Sequence, residues 1–306
     1  MAVIALMMTI SASAQFYIYC SDGNVIKVDS ISMVAPSYDE TPGIGTFSVS
    51  ADKQVTFSKG NLQYTQSTNT WSFAENQWEV IGTDNVTGGS VSFDPDLGDY
   101  QLGNALADKL DSFGWSTSAT NFGVSISETN HHYYGSFFDW GTNKIGNNAP
   151  NTWRTLSKDE WEYLLKTREN ASSLNGVAQV NGVNGLILLP DNWVCPEGIT
   201  FKSGFHRSSG VDYYAAYQTF TAVQWSKLES AGAVFLPAAG YRGYLINVQH
   251  NGMSHMIVVQ HMGYYWSATE YDSGGAYFLC FSSYQANITN TSLRCLGQSV
   301  RLVKDL

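Results

Sequence analysis

The chain has 306 residues, with 26 acidic against 16 basic side chains and a formal charge of −10. An acidic chain without a cluster of Lys and Arg argues against nucleic acid as a partner, because phosphate binding needs a basic footprint. Charged residues make up only 14% and aromatic residues another 14%, with 28 glycines; this fits a turn-rich extracellular domain better than a helical cytoplasmic enzyme, and the length allows a large core in one elaborate domain or two smaller ones.

Residues 1–15 form an apolar run that ends in Ala12-Ser13-Ala14. The run reads as a secretory signal cleaved after Ala14, although no basic residue precedes it, and it predicts a secreted, periplasmic or cell-surface protein. It is too short to span a bilayer and no later run is uniformly apolar, so no transmembrane segment is expected in the mature chain. Strand-like runs at 16–19 and 25–33 flank the turn Ser21-Asp22-Gly23-Asn24, which predicts a β-hairpin over 15–34. Residues 35–46, with Pro36, Pro42, Gly43 and Gly45, read as a linker.

The main domain is expected over 47–306. Alternation predicts strands at 47–50, 55–57, 62–64, 71–74 and 78–81. The stretch 98–140 is rich in Gly and aromatics, with a short helix expected near 102–110; so long a loop in a compact domain is functional or packed on itself. Ser157-Lys158-Asp159-Glu160 is a capping box ahead of the apolar face Trp161, Leu164 and Leu165, so a helix starts there. A second helix is expected over 222–231. No internal repeat of 20–50 residues stands out.

The tail alternates posts and fillers. In a strand, residues at i, i+2 and i+4 share a face. Ala276, Leu279 and Phe281 read as buried posts with one break in phase. Phe278, Cys280, Ser282, Ser283, Tyr284, Gln285, Asn287, Thr289, Asn290, Thr291 and Ser292 read as an exposed, changeable surface. The predicted ligand-binding residues are Tyr264, Trp266, Tyr271, Asp272, Phe278, Ser282, Tyr284, Asn287, Thr289, Asn290, Thr291 and Ser292. Of these, Tyr271, Tyr284, Asn287 and Asn290 are expected on one solvent-facing patch beside Trp266. Tyrosines on loops supply contact area at low entropy cost. The expected ligand is a protein or a glycan. No catalytic residue and no cofactor is expected. A calcium ion held by Glu270, Asp272 and backbone carbonyls is the metal alternative; packing for Trp266 and turn-pinning for Glu270 are the favoured roles.

The histidines give no recognisable metal-ligand spacing. His131 and His132 are adjacent, so on a strand only one of them would face a site. His250, His255 and His261 flank a glycine-containing segment. No nucleophile elbow, phosphate loop or EF-hand loop is present. Cys280 and Cys295 have a spacing that a hairpin would bring face to face, which the spacing alone does not establish.

Four stretches carry a family resemblance. They are Trp153-Arg154-Thr155-Leu156-Ser157-Lys158-Asp159-Glu160-Trp161-Glu162-Tyr163, Leu188-Leu189-Pro190-Asp191-Asn192-Trp193, Phe235-Leu236-Pro237-Ala238-Ala239-Gly240-Tyr241-Arg242, and the tail with Tyr264-Tyr265-Trp266-Ser267 and Arg294-x-x-Gly297-x-Ser299-Val300-Arg301-Leu302-Val303. In this order the chain resembles the formylglycine-generating-enzyme-like branch of the C-type lectin fold, as found in secreted Bacteroidetes proteins. The resemblance implies an α+β C-type-lectin-like domain with short strands, two main helices and long loops, preceded by the small hairpin. Enzymes of that family hold copper with two close cysteines near the C-terminus. Cys280 and Cys295 are spaced too widely to match that pair, so a formylglycine-forming oxidase is the alternative and non-catalytic binding the reading. The tail also resembles the variable protein of a diversity-generating retroelement, in which Asn codons scatter to Tyr, Ser, Thr, Asp, Gly and Ala; Gln285 and Gln298 depart from that pattern.

Overall fold

The computed structural model describes residues 16–19, 25–28, 45–82, 91–94, 99–102, 108–115, 136–208, 212–244 and 254–306. The expected signal segment, the linker up to residue 44, and His131, His132 and His250 lie outside them. The chain divides into two units, Met1–Glu40 and Thr41–Leu306. In the first, β1 (Phe16–Tyr19) and β2 (Val25–Val28) pair antiparallel, Phe16 opposite Val28.

The second unit mixes α and β, mostly as small antiparallel sheets. It begins with β3 (Phe47–Ser48), β4 (Gln54–Phe57), β5 (Leu62–Thr65), β6 (Thr70–Phe73), β7 (Val91–Asp94), β8 (Asp99–Leu102), β9 (Lys109–Leu110) and β10 (Arg154–Thr155). Helix α1 (Lys158–Glu162) runs on as a π-helical turn over Tyr163–Thr167. Next come β11 (Asn175–Val180), β12 (Val183–Leu188), α2 (Asp212–Tyr217), β13 (Thr219–Phe220), α3 (Ala222–Ser230), β14 (Val234–Pro237), β15 (Tyr241–Tyr244) and β16 (Ser254–Ile257). The tail forms β17 (Met262–Glu270), β18 (Gly275–Ser282), β19 (Gln285–Leu293) and β20 (Leu302–Asp305). The larger sheets have the orders β10-β20-β4-β3, β13-β11-β12-β14, β17-β18-β19 and β6-β5-β9.

Local chemistry sets the helix starts. The Ser157 side chain accepts from the Glu160 N–H, and the Glu160 carboxylate accepts from the Ser157 N–H. Thr221 and Gln224 repeat this reciprocal cap at α3. Two of the first four orphan N–H groups of each helix are thereby satisfied. Capping also orients α1 so that Trp161 enters the core, where it is 1% exposed.

Two expectations need correction. Residues 78–81 form no strand: the Glu79 N–H closes a turn on Asn76 O, and the Ile81 N–H goes to the Asp111 carboxylate. Of the segment expected to hold a short helix near 102–110, Leu102 ends β8 and Lys109–Leu110 form β9, which pairs with β5; residues 103–107 lie outside the described residues.

Two of the aromatic-rich clusters of the second unit flank the tail sheet. One gathers Phe47, Phe57, Trp161, Leu186, Leu236, Tyr265, Leu279, Phe281 and Ile288. The other gathers Trp71, Phe113, Trp115, Trp140, Trp266, Phe278, Cys280 and Val300. Strand β18 runs between them, with Leu279 and Phe281 entering the first and Ala276, Phe278 and Cys280 the second. It therefore has no solvent face. That is the physical reason why Phe278, Cys280 and Ser282, expected on the exposed surface, are buried; Ser283, also expected there, is buried in the following turn, where it bonds His206 and Ser208. Trp193, the last residue of the stretch Leu188–Trp193, is half-buried against a third cluster.

Arg301 shows how the core accommodates charge. Its guanidinium is fully buried and donates to the carbonyls of Ser58, at 3.1 Å, and Phe235. Burial pushes its pKa down, to about 10. Carbonyls rather than open water meet this group, in keeping with the cost of an unpaired buried charge.

Candidate functional site

The tail sheet is built around Gly263. It stands opposite Phe281 in the β17–β18 ladder, and a Cβ there would lie 2.1 Å from the Phe281 ring. Only a residue without a side chain lets that ring fold over β17 into the core. The register continues as Tyr264 opposite Cys280 and Trp266 opposite Phe278. Trp266, predicted to contact ligand, is 1% exposed, and its indole N–H donates to Phe113 O at 2.7 Å. It is a post of the core.

The β17–β18 turn carries Tyr271, which is 56% exposed, and Asp272. One Asp272 carboxylate oxygen accepts the N–H groups of Gly274 and Gly275 at 2.9 and 2.6 Å. Arg294 clamps this turn from inside. Its guanidinium donates to Gly275 O at 3.2 Å and to Asp272 O. It also pairs with Glu270 at 3.1 Å and lies over the Trp115 ring at 4.4 Å. Of the oxygens considered for calcium, the Glu270 carboxylate and the Asp272 carbonyl already face the Arg294 guanidinium, and a divalent cation between them would meet a positive charge. Among the described residues, no three His, Cys, Asp or Glu side chains gather in a metal-binding group.

The β18–β19 turn, Ser283-Tyr284, lies at the opposite end of the sheet. Tyr284 is 42% exposed. The His206 N–H donates to Ser283 O at 2.7 Å, and the Ser283 hydroxyl donates to Ser208 O at 3.0 Å. The His206 ring stacks on Tyr213, centroids 4.8 Å apart, and meets Tyr217 edge-on. Tyr213 is 38% exposed. This bracket was invisible in the sequence, because its partners lie 75 positions apart and neither carries a local motif.

The predicted residues therefore divide. Tyr271, Asp272, Tyr284, Thr289 and Thr291 are exposed; Tyr264, Asn287, Asn290 and Ser292 are half-buried; Trp266, Phe278 and Ser282 are buried. Tyr271 and Tyr284 occupy opposite turns and do not share one patch beside Trp266. Tyr264 packs between Tyr241 and Phe278 at 4.8 and 5.4 Å. Burial raises its hydroxyl pKa above the usual tyrosine range. Burial also pushes the Cys280 thiol up to about 11, against hydrogen bonds with Tyr264 and Asn290 that pull it down. Thr289 donates both its N–H and its hydroxyl to the Asn287 side-chain oxygen at 2.7 Å. Residues 273–293 contain no charged side chain, so the exposed positions offer only hydroxyls, amides and aromatic rings.

Cys195, Cys280 and Cys295 are free thiols. Cys280 belongs to the second core cluster, while Cys295 sits with Leu293 and Leu296, so these two thiols do not form the cross-hairpin pair. Elsewhere, an open groove of about 770 Å³ is lined by Asp52, Arg154, Glu160, Tyr163 and Asp305, among others. Its Arg154 is committed to Glu160 at 2.8 Å and Asp305 at 2.7 Å. No helix among the described residues is long and apolar enough to cross a membrane.

No family model matches the chain, and neither a curated protein nor a solved structure matches it.

Proposed function

We propose that this chain is a non-catalytic binding protein of the cell exterior, with a C-type-lectin-like domain that recognises a protein or a glycan through its tail sheet. The observation that carries the reading is the exposed, uncharged set Tyr284, Thr289 and Thr291 on a scaffold whose central strand is buried on both faces. Recognition by loops and edges needs such a rigid support. Tyrosine with small polar residues is also a composition suited to contact. Half-buried Asn287 and Asn290 line the same strand. The apolar leader with Ala12 and Ala14 supports export. The scatter of Tyr, Ser, Thr, Asn and Gly in the tail supports a diversified protein. A reverse-transcriptase gene beside an imperfect repeat of the tail would establish that part.

Binding is tested on a glycan microarray and a panel of extracellular proteins, using the parent and a Tyr284→Ala, Thr289→Ala, Thr291→Ala triple variant. The expected result is at least one ligand whose binding to the triple variant is weaker by about tenfold or more at an unchanged melting temperature. Ligands held equally by parent and variant would overturn the reading.

A further inference from the structure

Strand β19 is nine residues long and forms one edge of its sheet, which has the order β17-β18-β19. No strand among the described residues pairs with its outer side. Edge strands of soluble proteins are ordinarily blunted by Lys, Pro or inward charges. This one reads Gln-Ala-Asn-Ile-Thr-Asn-Thr-Ser-Leu and has none of these. Two devices protect only its first half: the register shift opposite residues 278–280, and the Asn287 side chain that occupies the Thr289 N–H.

Along the second half the described residues offer no partner strand, although the Leu293 carbonyl already accepts the Leu296 N–H at 3.1 Å. The Arg294 N–H donates inward to Gly274 O. Antiparallel ladders alternate inward and outward groups. The N–H groups of Ser292 and Asn290 therefore also face β18, and those of Thr291 and Leu293 face outward. Leu293 and Leu296 are half-buried around Cys295 in a small apolar cluster apart from the main ones, at the end of this open stretch.

We propose that β19 pairs antiparallel with β19 of a second copy of this chain, about a twofold axis at Thr291, joining two tail sheets into one of six strands. A twofold axis at Thr291 sets Thr291 opposite its own copy, Asn290 opposite Ser292 and Thr289 opposite Leu293, so the edge must be self-complementary. Like charges placed opposite each other destabilise a strand pair. In a chain of net charge −10, the window 273–293 carries no charge at all. Hydroxyls and amides both donate and accept, so Thr291 can face itself and Asn290 can face Ser292. The dimer would carry two tail surfaces side by side, and a multivalent target would be held with gain in avidity.

The test is sedimentation equilibrium of the full chain with no ligand added, so its outcome is separate from that of the binding reading. The parent is expected to show a monomer–dimer equilibrium. Thr291→Pro removes the outward N–H without touching the β18 ladder, a position where an edge strand tolerates proline. Thr291→Lys places two ammonium groups at the axis. Each should raise the dissociation constant by about tenfold or more without lowering the melting temperature at concentrations where the parent is monomeric. Should the proline variant lose its near-ultraviolet dichroism, the lysine variant decides. A parent that stays monomeric up to its solubility limit, or a dimer indifferent to Thr291→Lys, overturns the proposal.

Discussion

Replacing Trp161 separates scaffold from surface most sharply. The ring is 1% exposed, lies 5.9 Å from the Phe57 ring and belongs to the cluster that receives Leu279, Phe281 and Ile288 from the tail. A buried tryptophan removes about 200 Å² from water. At about 25 cal/mol per Å², and with the Cβ retained, Trp161→Ala should cost about 4 kcal/mol, within the about 3–5 kcal/mol usual for such truncations. For a unit of this size that lowers the melting temperature by roughly 10 °C. The indole N–H of Trp161 has no acceptor among the described residues, and an orphaned buried donor costs about 1–3 kcal/mol. Trp161→Phe keeps most of the apolar area and removes that donor, so it should cost clearly less than the alanine variant. Tyr284→Ala, at the exposed turn, should stay within about 0.5 kcal/mol. Urea unfolding and calorimetry of the three variants provide the comparison. Equal losses for Tyr284→Ala and Trp161→Ala would show that the tail turn is core, and the scaffold-and-surface argument would have to be abandoned.

Three other outcomes are expected. In a native thiol titration near pH 8, Cys195→Ser should remove one fast-reacting equivalent and Cys280→Ser none, because Cys195 is exposed and Cys280 is buried with its thiol pKa raised to about 11. Asp305→Asn should cost at most about 1 kcal/mol at neutral pH, the range of partly exposed ion pairs. The hydrogen bonds from Arg154 hold the Asp305 carboxyl below its ordinary 3.8; stability from a depressed acid is present above the unfolded value and lost as pH falls through the folded one, so parent and variant should converge in acid denaturation curves below that value. Gly263→Ala should cost about 1–3 kcal/mol or more through overpacking against the Phe281 ring, read as a fall in the urea midpoint.

The parts of the fold that were legible in the sequence are those fixed locally. The Ser157–Glu160 cap announces α1, and the helix expected over 222–231 is α3, Ala222–Ser230. The hairpin of β11 and β12 carries a local signal of its own in Asn181-Gly182, whose φ values of 48° and 84° suit a tight primed turn. The tail misled for a different reason. Alternation marks a strand with one wet face, but β18 has two dry ones, and that depends on which clusters flank it. The clamp of Arg294 on the β17–β18 turn and the bracket of His206 on Ser283 join distant segments, so nothing within either segment declares them.

The placement of Tyr271 and Tyr284 at opposite turns makes the tail sheet a ruler. The eight residues of β18 separate them, and at about 3.3 Å per residue that is roughly 25 Å. A single small molecule engages one tyrosine or the other. A ligand that touches both must itself be long, on the scale of an extended peptide of some eight residues, or must present two epitopes at that spacing.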